Sequence, residues 1–213
     1  MTDELEPAKV LIVFYSRTGV TEALAASIAA GAREAGAEVR CCRTRELVTE
    51  DVMDLSPGWR ESAHWMNSRY EAPTEKDAEW ADAIVFGSPS RFGAPAAELK
   101  AYIDSLGGLW FQGRLNGKVA SAFASSSTIH GGNETTILAL YPPAAHLGMI
   151  IVPTGYADPI LFEAGTPYGA SSVSENVSKA PSPSDLAVAH FQGGRITRVA
   201  AALRGLSDRQ SSV

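Results

Sequence analysis

Three short polar segments carry the residue types needed to grip a small anionic or planar ligand. The first, Ser16-Arg17-Thr18-Gly19-Val20-Thr21, follows an apolar run and opens a helical pattern. Free amides at a helix start, the positive end of the helix dipole and the hydroxyls of Ser16, Thr18 and Thr21 together make an anion pocket. The segment has neither the Gly-x-x-x-x-Gly-Lys-Ser/Thr of triphosphate chemistry nor the Gly-x-Gly-x-x-Gly of a dinucleotide pyrophosphate site, so a terminal monophosphate fits it better. A capped turn with no ligand is the competing reading. The second segment, Pro89-Ser90-Arg91-Phe92-Gly93, sets an aromatic ring where a flat ligand would lie, unless Phe92 tucks onto the core. Arg91 offers a charge-assisted hydrogen bond or stack, or is simply solvated. The third, Ser125-Ser126-Ser127-Thr128-Ile129-His130-Gly131-Gly132, is rich in hydroxyls and ends in two glycines that permit either close backbone approach or a wide turn.

Other reactive groups are scattered. His146 ends a helical stretch, where a solvated helix-end histidine is the default, and His130 is a polar loop residue. Leu109-Trp110-Phe111 is an apolar triple that must bury itself against the core, a ligand or another subunit. Cys41 and Cys42 lack the Cys-x-x-x-x-x-Arg spacing of a phosphatase loop, and their adjacency disfavours a structural disulfide, which points to a reduced, cytoplasmic setting. No Gly-x-Ser-x-Gly elbow follows a strand, no aspartate ends the third strand as a phosphoacceptor, and no Cys/His spacing suits a metal.

The elements that must position these segments follow from hydrophobic patterning. KVLIVFY at residues 9–15 and DAIVFGS at 82–88 are continuous apolar runs, as expected of strands buried on both faces of a parallel sheet. Further strands are expected at residues 37–43, 118–123 and 149–152. Helical spacing begins at Val20 and stops at Gly36; a second helix starts near Pro95 and ends at Gly107-Gly108; a third covers 134–147, where Pro142-Pro143 must kink it or end it early. Residues 45–75 read as a short helix within a long excursion, and 154–184 as a long loop. A last helix at 185–204, with Ser184 as its cap, buries Leu186, Val199 and Leu203. The expectation is an α/β doubly wound sheet of five parallel strands flanked by helices, one domain over residues 1–205, and a disordered tail at 206–213. In such a sheet all three polar loops meet at the carboxyl ends of the strands.

With 213 residues, 45% apolar and 20% charged, the chain is an ordinary globular protein. Its 18 basic and 24 acidic residues leave a net charge of -6, which disfavours nucleic acid and anionic membranes as partners. The polar start shows no signal core, and no apolar run nears the roughly 20 residues of a membrane span, so no membrane insertion is expected.

Taken together, KVLIVFYSRTG, IVFGSPSRFG, GGLW at 107–110, HLGMIIVPTGY at 146–156 and GTPYGAS at 165–171 resemble the flavodoxin-like NAD(P)H:quinone oxidoreductases of the WrbA, or tryptophan-repressor-binding protein, type. The resemblance spans about residues 9–203. It implies one FMN per subunit, with its phosphate on residues 16–21 and its ring system against Ser90, Arg91, Phe92 and the loop 125–132. It also implies that His146 lies near the polar edge of the ring, where it would polarise a flavin or quinone oxygen. Thr18 would border NADH or NADPH, and Trp110 would cover a quinone pocket shared between subunits of a homotetramer, a dimer of dimers. Ping-pong two-electron reduction of quinones is the implied activity. The sequence departs from the family pattern at Thr18, where an aromatic is common, at His130, at Leu147 and at Pro142-Pro143. A flavodoxin-type electron carrier and a repressor-binding regulatory protein are the alternatives; the excursions at 45–75 and 154–184 argue against the first, and no residue pattern supports the second.

Overall fold

The computed structural model describes residues 6–176 and 179–210, with side chains as far as residue 204. β1 (Lys9–Phe14) is apolar at consecutive positions because both its faces are covered: Leu11 and Val13 enter one core, Val10, Ile12 and Phe14 the other, and all five are fully buried. β2 (Glu38–Arg43) and β3 (Ala83–Arg91) flank β1, β5 (Val119–Ser126) pairs with β3, and β6 (Ile150–Ile151) pairs with β5, all in parallel. The order β2-β1-β3-β5-β6 changes direction between β1 and β3, which opens a crevice at their carboxyl ends. The expected doubly wound parallel sheet is present.

Two short strands add to the five. β4 (Ala94–Pro95) turns back antiparallel onto the end of β3, so residues 89–93 are a strand end and a hairpin tip rather than a free loop. β7 (Ser171–Val173) pairs in parallel with Ala124–Ser126, while β6 pairs lower down with Val119 and Ala120. The fifth strand position is therefore filled in two pieces, split by the insertion that the sequence presents as a long loop.

α1 (Val20–Glu34) and α8 (Pro183–Gln210) cover one face. Their backbones touch: a Cβ on Gly31 would lie 1.9 Å from the His190 carbonyl oxygen, and one on Gly193 would lie 2.0 Å from that of Ile28. α8 is capped at Ser182, not Ser184. The Ser182 hydroxyl accepts from the Asp185 amide at 3.0 Å, and the Asp185 carboxylate accepts from the Ser182 amide at 3.0 Å, a reciprocal pair that starts the helix ahead of the expected cap. Val188, Ala189, Ile196 and Ala200 carry the burial, with Leu186, Val199 and Leu203 packed at the margin. The tail expected from Leu206 begins inside this helix, and its residues 211–213 lie outside the described residues.

The other face carries α4 (Glu75–Trp80), α5 (Ala97–Ser105) and α7 (Asn133–His146). α7 runs through Pro142 and Pro143 unbroken; Leu138, whose carbonyl loses a helical partner to Pro142, is exposed enough for water to serve it. Gly107-Gly108 does not end the helical stretch but starts α6 (Gly107–Phe111), which buries Leu109 and leaves Trp110 and Phe111 exposed. The excursion is more helical than its sequence suggests, with α2 (Glu50–Met53) and α3 (Trp59–Asn67) preceding α4. No helix among the described residues is long and apolar enough to cross a membrane.

Candidate functional site

The carboxyl ends of β1, β3 and β5 enclose a cleft of about 390 Å³. Its floor and first wall come from Ser16, Arg17, Thr18, Val20 and Thr21 at the start of α1. The Ser16 hydroxyl accepts from the Gly19 amide at 3.1 Å, which closes the turn. Gly19 is the cap position of α1, with φ 95 and no side chain to offer, so the first-turn amides of α1 have no side-chain cap and are available to an anion. Thr21 Oγ1 and Ser125 Oγ are 2.8 Å apart, which ties this turn to the end of β5.

The other walls are tied together in the same way. Pro89, Ser90 and Arg91 line the cleft from β3. Ser90 Oγ donates to the Gly131 carbonyl at 2.5 Å and accepts from the Gly93 amide at 3.2 Å, locking the hairpin to the loop after β5. Phe92 sits at the hairpin tip, wholly exposed, with φ 55, so it is neither tucked onto the core nor part of the lining. Ser125, Ser126 and Ser127 complete this side, and the Ser126 hydroxyl donates to the Thr128 carbonyl at 2.8 Å.

Of the residues that the sequence marks, Gly19, Gly93, Thr128, Gly131 and Gly132 shape turns around the cleft and do not line it. His146 and Trp110 are not at the cleft. They lie together in a separate pocket of about 260 Å³ with Ile103, Asp104, Gly107, Pro143 and Leu147. The reason is geometric. α7 begins beside the cleft at Asn133, and its 14 residues carry His146 about 20 Å toward the opposite edge of the sheet. Four lining residues come from segments without periodicity: Ser56 and Pro57 from the excursion, Ser174 and Asn176 from the stretch after β7. Backbone bonds from the Ser174 amide to the Ser126 carbonyl and from the Asn176 amide to the Ser127 carbonyl hold the latter pair in place.

The electrostatics of the cleft run against those of the molecule. The chain is net acidic, yet among the described residues no lining residue is acidic and two are arginines. Burial first, and the neighbouring Arg91 guanidinium second, pull the Arg17 side chain below the usual arginine range. Beneath the turn, the fully buried Arg43 donates to the Ser16 carbonyl at 2.9 Å and to Asn67 Oδ1 at 2.6 Å, and pairs with Glu46. The two cysteines lie on β2 and do not line the cleft, and burial pushes their thiols up to about 12 for Cys41 and about 11 for Cys42. Uncapped amides, hydroxyls and guanidiniums are donors for a phosphate ester. The residues present fit the phosphate of a phosphorylated cofactor.

Comparison with known proteins agrees with this chemistry. The family described as NADPH-dependent FMN reductase matches residues 8–159. A protein of Deinococcus radiodurans named NAD(P)H dehydrogenase (quinone) is 46% identical over 166 residues, 78% of this chain and 82% of that protein. One of the same name from Sinorhizobium fredii is 42% identical over 204 residues, 92% of this chain and 98% of its own length. Among solved structures, a flavodoxin, WrbA-like protein from Agrobacterium tumefaciens has a TM-score of 0.63 at 25% identity, covering 91% of this chain and 97% of that one.

Proposed function

The chain belongs to the NADPH-dependent FMN reductase family, and from that premise we propose that it is an FMN-dependent NAD(P)H:quinone oxidoreductase. The observation that supports the reading best is the cleft at the strand ends, lined by hydroxyls, helix-start amides and two guanidiniums and by no carboxylate. When bound, FMN supplies the chemistry, taking a hydride from a nicotinamide nucleotide and passing two electrons to a quinone on a separate visit. Residues 16–21 hold its phosphate, Ser90, Arg91 and Ser125 to Ser127 flank its ring, with Phe92 exposed at the hairpin tip beside them, and Thr18 borders the nicotinamide nucleotide. Two free thiols fit a reducing, cytoplasmic setting.

His146 and Trp110 serve a neighbouring subunit. They share one exposed pocket far from their own cleft, with Trp110 and Phe111 projecting to solvent, which suits a homotetramer in which this patch closes the next cleft. There Trp110 shields the quinone from water, and His146 hydrogen-bonds a quinone oxygen as it gains charge. A His146→Ala enzyme loaded with FMN is expected to bleach with NAD(P)H as the parent does but to reoxidise with benzoquinone about 10²-fold more slowly. Equal reoxidation would remove His146 from the quinone site. Reassembling that variant with a chain that cannot bind FMN restores quinone turnover if the site is shared; no recovery would place His146 in its own subunit's chemistry.

A further inference from the structure

The excursion between β2 and β3 lines the cleft with Ser56 and Pro57 and grips the side chain of Arg17. Arg17 Nη2 donates to Ser56 Oγ at 2.6 Å, and its guanidinium lies 3.7 Å over the ring of Trp59. Trp59 is itself buried and anchored, with its indole N–H directed at Glu46 Oε1 at 3.4 Å, and Glu46 is the partner of buried Arg43, which holds the Ser16 carbonyl. The chain of contacts leaves the turn at Ser16 and returns to it at Arg17. Among the described residues no carboxylate forms an ion pair with Arg17, although the guanidinium is held in place and lines the cleft. A guanidinium has five N–H donors, and the bond to Ser56 uses one. A free arginine on a turn would have to lose its rotamer freedom on binding an anion, whereas this one is already ordered.

We propose that Trp59 is a positioning residue that stacks Arg17 in place for the phosphate of the flavin, so that the excursion makes the cleft selective for FMN over the uncharged riboflavin. The inference rests on the reading of the cleft as an FMN site. Arg17 supplies the charge and Trp59 supplies its fixed position, so loss of either should lower the affinity for FMN and leave that for riboflavin as it was.

The test is a pair of fluorescence-quenching titrations, with FMN and with riboflavin, on the apoprotein of each variant. Arg17→Met should lower the FMN-to-riboflavin affinity ratio about 10- to 30-fold. Trp59→Leu should lower it at least about 5-fold although the charge remains, Trp59→Phe should keep most of the ratio, and the double variant should be no worse than Arg17→Met alone. A purely structural Trp59 would weaken both flavins equally and leave the ratio unchanged, which overturns the proposal, as would an unchanged ratio in Arg17→Met, a variant that leaves the buried tryptophan in place. Those results leave the FMN site standing, whereas a parent protein that binds neither flavin overturns the site reading and the proposal together.

Discussion

Placing one carboxylate in the cleft is expected to weaken FMN binding about a thousandfold. Thr21 lies at the start of α1 against Ser125, and the lining holds no negative charge of its own, so Thr21→Asp opposes the phosphate directly and removes a hydroxyl. Two unit charges about 4 Å apart at an effective dielectric of about 20 repel by roughly 4 kcal/mol, close to a thousandfold in affinity. The expected dissociation constant for FMN therefore rises about 10³-fold, while Thr21→Ser stays within a few-fold of the parent. Equilibrium dialysis against FMN reads both, and retained tight binding in Thr21→Asp would move the phosphate elsewhere. The Thr21→Asp chain also serves as the partner that cannot bind FMN in the reassembly experiment with His146→Ala.

The second large effect lies beneath the cleft. Arg43→Met leaves Glu46 buried without its cation and takes donors from the Ser16 carbonyl and Asn67. Breaking a buried pair from one side costs about 3–5 kcal/mol, because the remaining charge is stranded, whereas replacing both partners with apolar residues is often close to neutral. Urea denaturation of the apoprotein should show that loss for Arg43→Met and recover most of it in Arg43→Met/Glu46→Leu. A loss below about 1 kcal/mol in the single variant would mean that water reaches Glu46 and that the excursion is not anchored through this pair.

The β1, β3 and β5 strands are legible in the sequence because helices cover both faces of the sheet, which makes each strand a continuous apolar run. The fifth strand position is legible only in part: β6 falls inside the strand expected at 149–152, whereas β7, three residues beyond the insertion, is too short to carry a period. In the excursion, Thr74 and Asp77 do leave a readable sign, a capping box at the start of α4, whereas Trp59–Asn67 packs through tertiary contacts that composition does not announce. Arg43 lies at the end of a strand, and its burial is made tolerable by Glu46 and Asn67 of the excursion together with the Ser16 carbonyl.

The site divides along the same line. The turn at residues 16–21 and the strand ends at 89–91 and 125–127 could be placed at one edge from topology alone, and all but Gly19 line one cleft. Ser56, Pro57, Ser174 and Asn176 could not, since each reaches the cleft from a segment whose path depends on contacts distant in sequence. His146 shows the converse. A helix that follows a strand in a parallel sheet runs back toward the strands' amino ends, so the histidine closing α7 has to leave the edge at which its helix begins. That geometry is what keeps His146 out of its own subunit's cleft.

The central claim is that FMN in this cleft passes electrons from a nicotinamide nucleotide to a quinone. The most direct measurement is the absorbance spectrum of the FMN-loaded protein, taken anaerobically before and after NADH or NADPH and again after benzoquinone. The flavin band is expected to bleach with the nucleotide and to return with the quinone, cycle after cycle. Bound flavin that neither nucleotide bleaches would contradict the claim and mark the protein as an electron carrier, and a protein that retains no flavin would remove its basis.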